Sequence, residues 1–230
     1  MPNDFTVFLW ALKLGAFANL YFLANTLALR SGDTDPHIVI PAQILFLVSG
    51  YRCLFPNRYE DNVVLHASPL SSTLVTRVLA TFAEVAWIYQ FSHVIRLPNL
   101  GGIGWVEALS WLMVFQVVIS QLFVWAAIST GRLSLYFHEE VGWGVIFAAN
   151  TIASAYLWAE ASKRDEAAEP NTPVTRQLVA SRLHRSLHEW NRATDAASWG
   201  GLVGLTWMTA YWATLIPMWV NHVVRVAATP

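Results

Sequence analysis

The chain is a succession of apolar stretches, each long enough to cross a lipid bilayer, and no other feature limits its folding so strongly. The first runs from about Phe5 to Leu29 and is interrupted by Lys13, Asn19 and Asn25. A hydrocarbon layer takes roughly 20 helical residues to cross. Inside it every backbone N–H and C=O must pair within the segment, so stretches of this length and composition become helices. Asp4 precedes the stretch, no cation does, and the apolar run outlasts a leader's core; the expectation is a retained first helix. Further stretches cover about Ile38–Phe55, Leu74–Ile95, Ile103–Thr130, Val141–Ala159 and Trp199–Val224.

The punctuation between them agrees. The linker Arg30–His37 is rich in turn formers, and Pro56-Asn57 stops the second stretch. Ser71-Ser72-Thr73 offers an N-cap to the third, and Gly131-Arg132 ends the fourth. Pro217 predicts a kink in the last. Charged residues make up only 13% of the chain, against about a quarter in soluble domains. Twelve Trp supply the ring that favours membrane interfaces. A formal charge of −1 excludes a nucleic-acid binder, which shows a basic excess.

One segment differs. Glu160–Ser198 holds six of the fourteen cations and six acids. Within it, a helix over about 174–192 would place Val179, Leu183, Leu187 and Trp190 on one face, with His184, Arg185, His188 and Arg192 on another. That is the pattern of a helix lying in the headgroup layer. The expected architecture is therefore all-α: a polytopic integral membrane helical bundle of about six transmembrane helices plus one amphipathic interfacial helix. It forms a single transmembrane domain over residues 1–230, with residues 160–198 as an extramembrane loop. Eight cations flank the side of that loop and five the side of the termini, so the positive-inside rule puts the loop in the cytoplasm.

A charge within hydrocarbon is costly and marks a partner or a cavity. Arg77, Thr81 and Glu84 are spaced i, i+4, i+7 on the third stretch, and so share one face. The pair is either an internal staple or a cavity lining in which Glu84 is a general acid or base and Arg77 orients an anionic group. Glu107 is a second acid, near the start of the fourth stretch: a first-turn residue favoured by the helix dipole, or a catalytic partner of Glu84. Thr81, Trp87, Trp111, Gln121 and Trp125 are the candidate substrate-binding side chains. His138, Glu139 and Glu140 precede the fifth stretch and could take a metal with His66 from the second loop; the plainer reading is an acidic first turn. His184 and His188 lack the acid that HExxH chemistry needs between them.

No GxSxG, P-loop, GxGxxG or CxxC motif occurs, and the sequence specifies no cofactor. Three functions fit. The first is an integral membrane enzyme acting on an apolar lipid or isoprenoid-like substrate, by acid/base chemistry in an aromatic-lined intramembrane pocket. The second is an accessory or structural subunit of a larger membrane complex. The third is a small-molecule or proton-coupled transporter. Partners would be membrane lipids and other membrane subunits or a homo-oligomer.

Overall fold

A computed structural model describes residues 6–30, 32–58, 63–64, 68–132, 134–165 and 211–228. The fold is all-α. Its helices are α1 (Thr6–Leu27), α2 (Pro36–Leu54), α3 (Thr73–Arg96), α4 (Gly104–Thr130), α5 (Ser134–Asp165) and α6 (Ile216–Ala227). A π turn, Tyr211–Leu215, leads into α6, and a 3-10 turn, Pro69–Ser71, leads into α3. Between α2 and α3, β1 (Asn57–Arg58) and β2 (Val63–Val64) form a minimal antiparallel ladder. The expected interfacial helix at 174–192 lies outside the described residues, as does the first part of the expected last span.

Helices α2, α3, α4 and α5 are long and apolar enough to cross a membrane. Which way their apolar side chains face is equally informative. On α1 the outward stripe is Trp10, Leu14, Phe17 and Tyr21, at helical spacing; Phe17 is 74% exposed. On α2 it is Ile40, Leu47 and Leu54. On α4 it includes Trp111, Phe115, Val118 and Leu122. A soluble helix would carry polar residues there, and exposed apolar surface on this scale marks a membrane-facing protein.

The chain divides into two compact units, Met1–Trp87 with Ser198–Pro230, and Ile88–Ala197. In the first, α1, α2, the π turn and α6 pack together. Their inner seam runs through Leu12, Ala16 and Asn19 of α1, Ile38, Leu45 and Phe46 of α2, and Ile216 and Val220 of α6. Asp35 caps α2, accepting from His37 N at 2.8 Å, and its own N–H donates to Ala228 O at 2.8 Å, which satisfies a carbonyl at the end of α6. The Tyr51 hydroxyl donates to Leu70 O and Asn57 Nδ2 to Ser71 O, so the end of α2 is tied to the 3-10 turn.

The π turn has an identifiable cause. In that geometry the carbonyl of residue 212 would accept from residue 217, which is Pro and has no N–H. Asn19, wholly buried on α1, supplies the missing donor: its Nδ2 reaches Trp212 O at 3.1 Å and Gly15 O at 2.8 Å. Asn19→Leu should therefore cost about 1–3 kcal/mol, the penalty for a buried carbonyl left unpaired. A melting curve in detergent would read it. The loss should shrink when Pro217 is also replaced by Ala, because residue 217 then offers its own N–H. Equal losses in the two backgrounds would refute this account of the turn.

In the second unit α4 and α5 form an antiparallel hairpin closed by Gly131, whose φ of +68° lies in the left-handed region. Trp105 meets Tyr156 edge-on at 4.8 Å, and Phe123 stacks on His138 at 5.1 Å, which fixes the register. Small residues let the backbones approach: a Cβ on Gly142 would collide with Ser120 Oγ. The buried seam of α4 is Val106, Ser110, Met113, Val117, Ser120, Gln121, Val124 and Ala127, a strict helical stripe.

Candidate functional site

Helix α3 begins where its sequence predicts. Ser72 Oγ accepts from Val75 N at 3.4 Å, and Ser72 O from Thr76 N at 3.0 Å, so the serine run caps the helix. From that start Arg77 and Glu84 fall two turns apart on one face. Arg77 extends along its own helix and meets the carboxylate fork to fork. Nη1 donates to Oε1 at 3.4 Å and Nη2 to Oε2 at 3.2 Å. The Arg77 side chain is 0% exposed and that of Glu84 is 14% exposed. Neutralisation at this range is what makes a guanidinium tolerable within a span. Thr81, the middle member of the stripe, donates its hydroxyl to Arg77 O at 3.0 Å, a bond within the helix. Trp87 is buried one turn beyond Glu84, followed by Ile88 and Phe91, both buried.

The residues of α4 separate by face. Glu107 is exposed in the first turn, where the helix dipole favours an acid. Trp111 is also exposed, Gln121 is buried and Trp125 is half-buried. Glu84 belongs to the first compact unit and Glu107 to the second.

Helix α5 starts at Ser134, seven residues before the expected span, so His138-Glu139-Glu140 lies inside it. The three side chains diverge accordingly. His138 is exposed, stacked on Phe123, with Nδ1 3.0 Å from Ser134 O. Glu139 is buried and accepts from Trp143 Nε1 at 3.4 Å, while Glu140 is half-buried. His66 lies outside the described residues, as do His184 and His188. Among the described residues no group of three His, Cys, Asp or Glu side chains could hold a metal ion.

Two arginine contacts were not visible in the sequence. Arg52, buried in the last turn of α2, lies over the Trp212 ring at 4.3 Å. Arg96, the last residue of α3, lies over the Trp111 ring at 4.3 Å and donates through Nη1 to Ser92 Oγ and, at 3.1 Å, to Ser110 Oγ. The turn between α3 and α4 makes this possible. Asn99 clamps it with two bonds to the Ile103 backbone at 3.0 and 3.2 Å, and Gly102 takes a φ of +59°. The signal that was present is the shortness of that turn, which returns α4 beside the end of α3. No protein-family model matches the chain, nor does any curated protein or solved structure.

Proposed function

We propose that the chain is a multi-pass integral membrane protein serving as a structural or accessory subunit of a larger membrane assembly. One observation supports this above the others: Arg77 spends both terminal nitrogens on Glu84 of its own helix. The guanidinium of the span is neutralised within its own helix, as in a staple. Thr81 turns to its own backbone, and Glu107 stands exposed in a first turn. The outward faces of α1, α2 and α4 are apolar and aromatic, suited to lipid or to a neighbouring subunit. In this reading residues 160–198 form an extramembrane loop on the cytoplasmic side, with an interfacial helix near 174–192. The partner is another membrane subunit or a second copy of the chain.

The test is the state of the protein after mild solubilisation. A subunit should elute as an assembly of fixed stoichiometry, measurable by native mass spectrometry or light scattering. A monodisperse single chain that turns over a lipid substrate would overturn the reading.

A second reading is favoured by the opening of Glu84 beside a wholly buried Arg77. It is a membrane enzyme acting on an apolar lipid or isoprenoid-like substrate. Glu84 exchanges the proton, and Arg77 orients an anionic group of the substrate. Its signature is a Glu84→Gln variant that folds and assembles normally but has lost turnover.

A further inference from the structure

Arg96 is a cation whose surroundings packing alone does not explain. It ends α3, where the span gives way to the Leu97–Ile103 turn. At this end of the second unit Trp105 and Tyr156 form the edge-on pair, and Trp111 lies under the guanidinium. Tryptophan and tyrosine at the end of an apolar helix mark the headgroup level. Arg96 therefore sits at the depth of lipid phosphates, half-buried rather than extended into water.

Its orientation is fixed on two sides. The Trp111 face holds the guanidinium plane, and both bonds to protein go through one nitrogen, Nη1, to Ser92 and Ser110. Ser110 is itself oriented, donating to Glu107 O at 2.7 Å. What remains is the edge formed by Nε and Nη2, whose N–H bonds run parallel. That edge suits two oxygens of one phosphate or carboxylate. Among the described residues no carboxylate lies within ion-pair distance of it. Lys163, by contrast, takes Glu160 at 2.9 Å. Arg77 takes Glu84 fork to fork. A half-buried cation, held by hydroxyls and a ring, with Glu107 acting on it only beyond ion-pair distance and no closer carboxylate among the described residues, is poised for an added anion.

We propose that Arg96 holds a phosphate group through its Nε/Nη2 edge, with Ser92, Ser110 and Trp111 as the residues that aim it. The depth favours the phosphodiester of a membrane phospholipid. This is independent of whether the chain is a subunit or an enzyme, since it uses none of Arg77, Thr81 or Glu84.

Calorimetry on the full chain in a neutral detergent tests it, with short-chain phosphatidylglycerol, short-chain diacylglycerol and inorganic phosphate as three separate titrants. Phosphatidylglycerol should bind and diacylglycerol should not. Binding of inorganic phosphate at similar affinity would identify a soluble phosphate as the source; its failure to bind would identify the lipid headgroup. R96Q should weaken binding roughly tenfold or more, the value of a charge-assisted bidentate contact. R96K keeps the charge but loses the fork and the ring contact, and should fall clearly below wild type. E107Q removes the exposed acid one turn from Ser110, breaks none of the contacts of Arg96, and should strengthen binding. The E107Q result stands even if R96Q fails to fold. Failure of the wild type to bind phosphatidylglycerol or phosphate, equal binding of diacylglycerol, or R96K at wild-type affinity would each overturn the proposal.

Discussion

Replacing Arg77 by Met should destabilise the protein by about 3–5 kcal/mol, and replacing Glu84 as well should restore most of the loss. The first figure is the usual cost of breaking a buried ion pair by removing one partner. It corresponds to a fall in melting temperature of about 10 °C for a chain of this size. The recovery follows because the cost belongs to the charge left behind rather than to the lost attraction. Two apolar side chains of similar volume leave no such charge, and such replacements are often neutral. The single variants should also differ from each other. E84M strands a guanidinium that is wholly buried and cannot shed its proton. R77M strands a carboxylate that is slightly open to its surroundings. E84M should therefore be the worse of the two. Thermal melts of the four proteins in one detergent complete the cycle. Additive losses in the double variant would mean that the pair is not coupled, and the staple would have to be abandoned. Under the enzyme reading the double variant is equally stable but inactive, so the same proteins separate structure from catalysis.

That pair could be read in the sequence because both residues lie on one helix, where spacing alone decides which side chains meet. The same is true of the helix limits set by turn chemistry. The third span, expected over Leu74–Ile95, is a helix over Thr73–Arg96, and the fourth, expected over Ile103–Thr130, runs from Gly104 to Thr130. Ser72 and Gly131 mark those ends for local reasons that survive folding. In the fifth stretch the apolar run and the helix do not coincide. Its apolar run begins near Val141, but the helix begins at Ser134 and continues to Asp165. Hydropathy reports where hydrocarbon should end; backbone hydrogen bonding continues into water wherever no residue breaks it. The triplet at 138–140 therefore has helical geometry, with its side chains on diverging faces.

Contacts between helices were not legible at all. Nothing in the periodicity of α3 or α4 says that Arg96 will lie over Trp111. Likewise nothing in α1 says that Asn19 will cap a carbonyl in a turn 193 residues away. Single polar residues inside apolar stretches did announce that they needed partners. The partner's identity depends on which helices are neighbours, and that is a property of the packed chain. Asn19 and Pro217 are each a local irregularity in an apolar stretch. They turn out to be two halves of one arrangement, a missing donor and its replacement.

The same corner of the first unit carries the largest expected packing effect. A methyl group on Gly15 would overlap both the Cβ and the Cα of Ala213. Side-chain ends can rotate away, but a Cα can move only with its backbone, here a π turn already held between Pro217 and Asn19. Gly15→Ala should therefore cost about 3 kcal/mol, the upper end of ordinary overpacking. Two other helical glycines calibrate it. Gly142→Ala meets only the side-chain ends of Ser120 and Gln116 and should cost less. Gly144→Ala meets nothing within 4 Å and should gain up to about 1 kcal/mol from helix propensity. Adding Ala213→Gly to Gly15→Ala should recover part of the loss but not all, because the Cα overlap remains. The effect of Gly15→Ala should also fall in an Asn19→Leu background. Pushing α1 away from the π turn lengthens the Asn19 bond to Trp212 O, so each change removes part of what the other would lose. Full additivity in melting temperature would show that Gly15 and Asn19 act separately, and that the close approach of α1 is not what positions the cap.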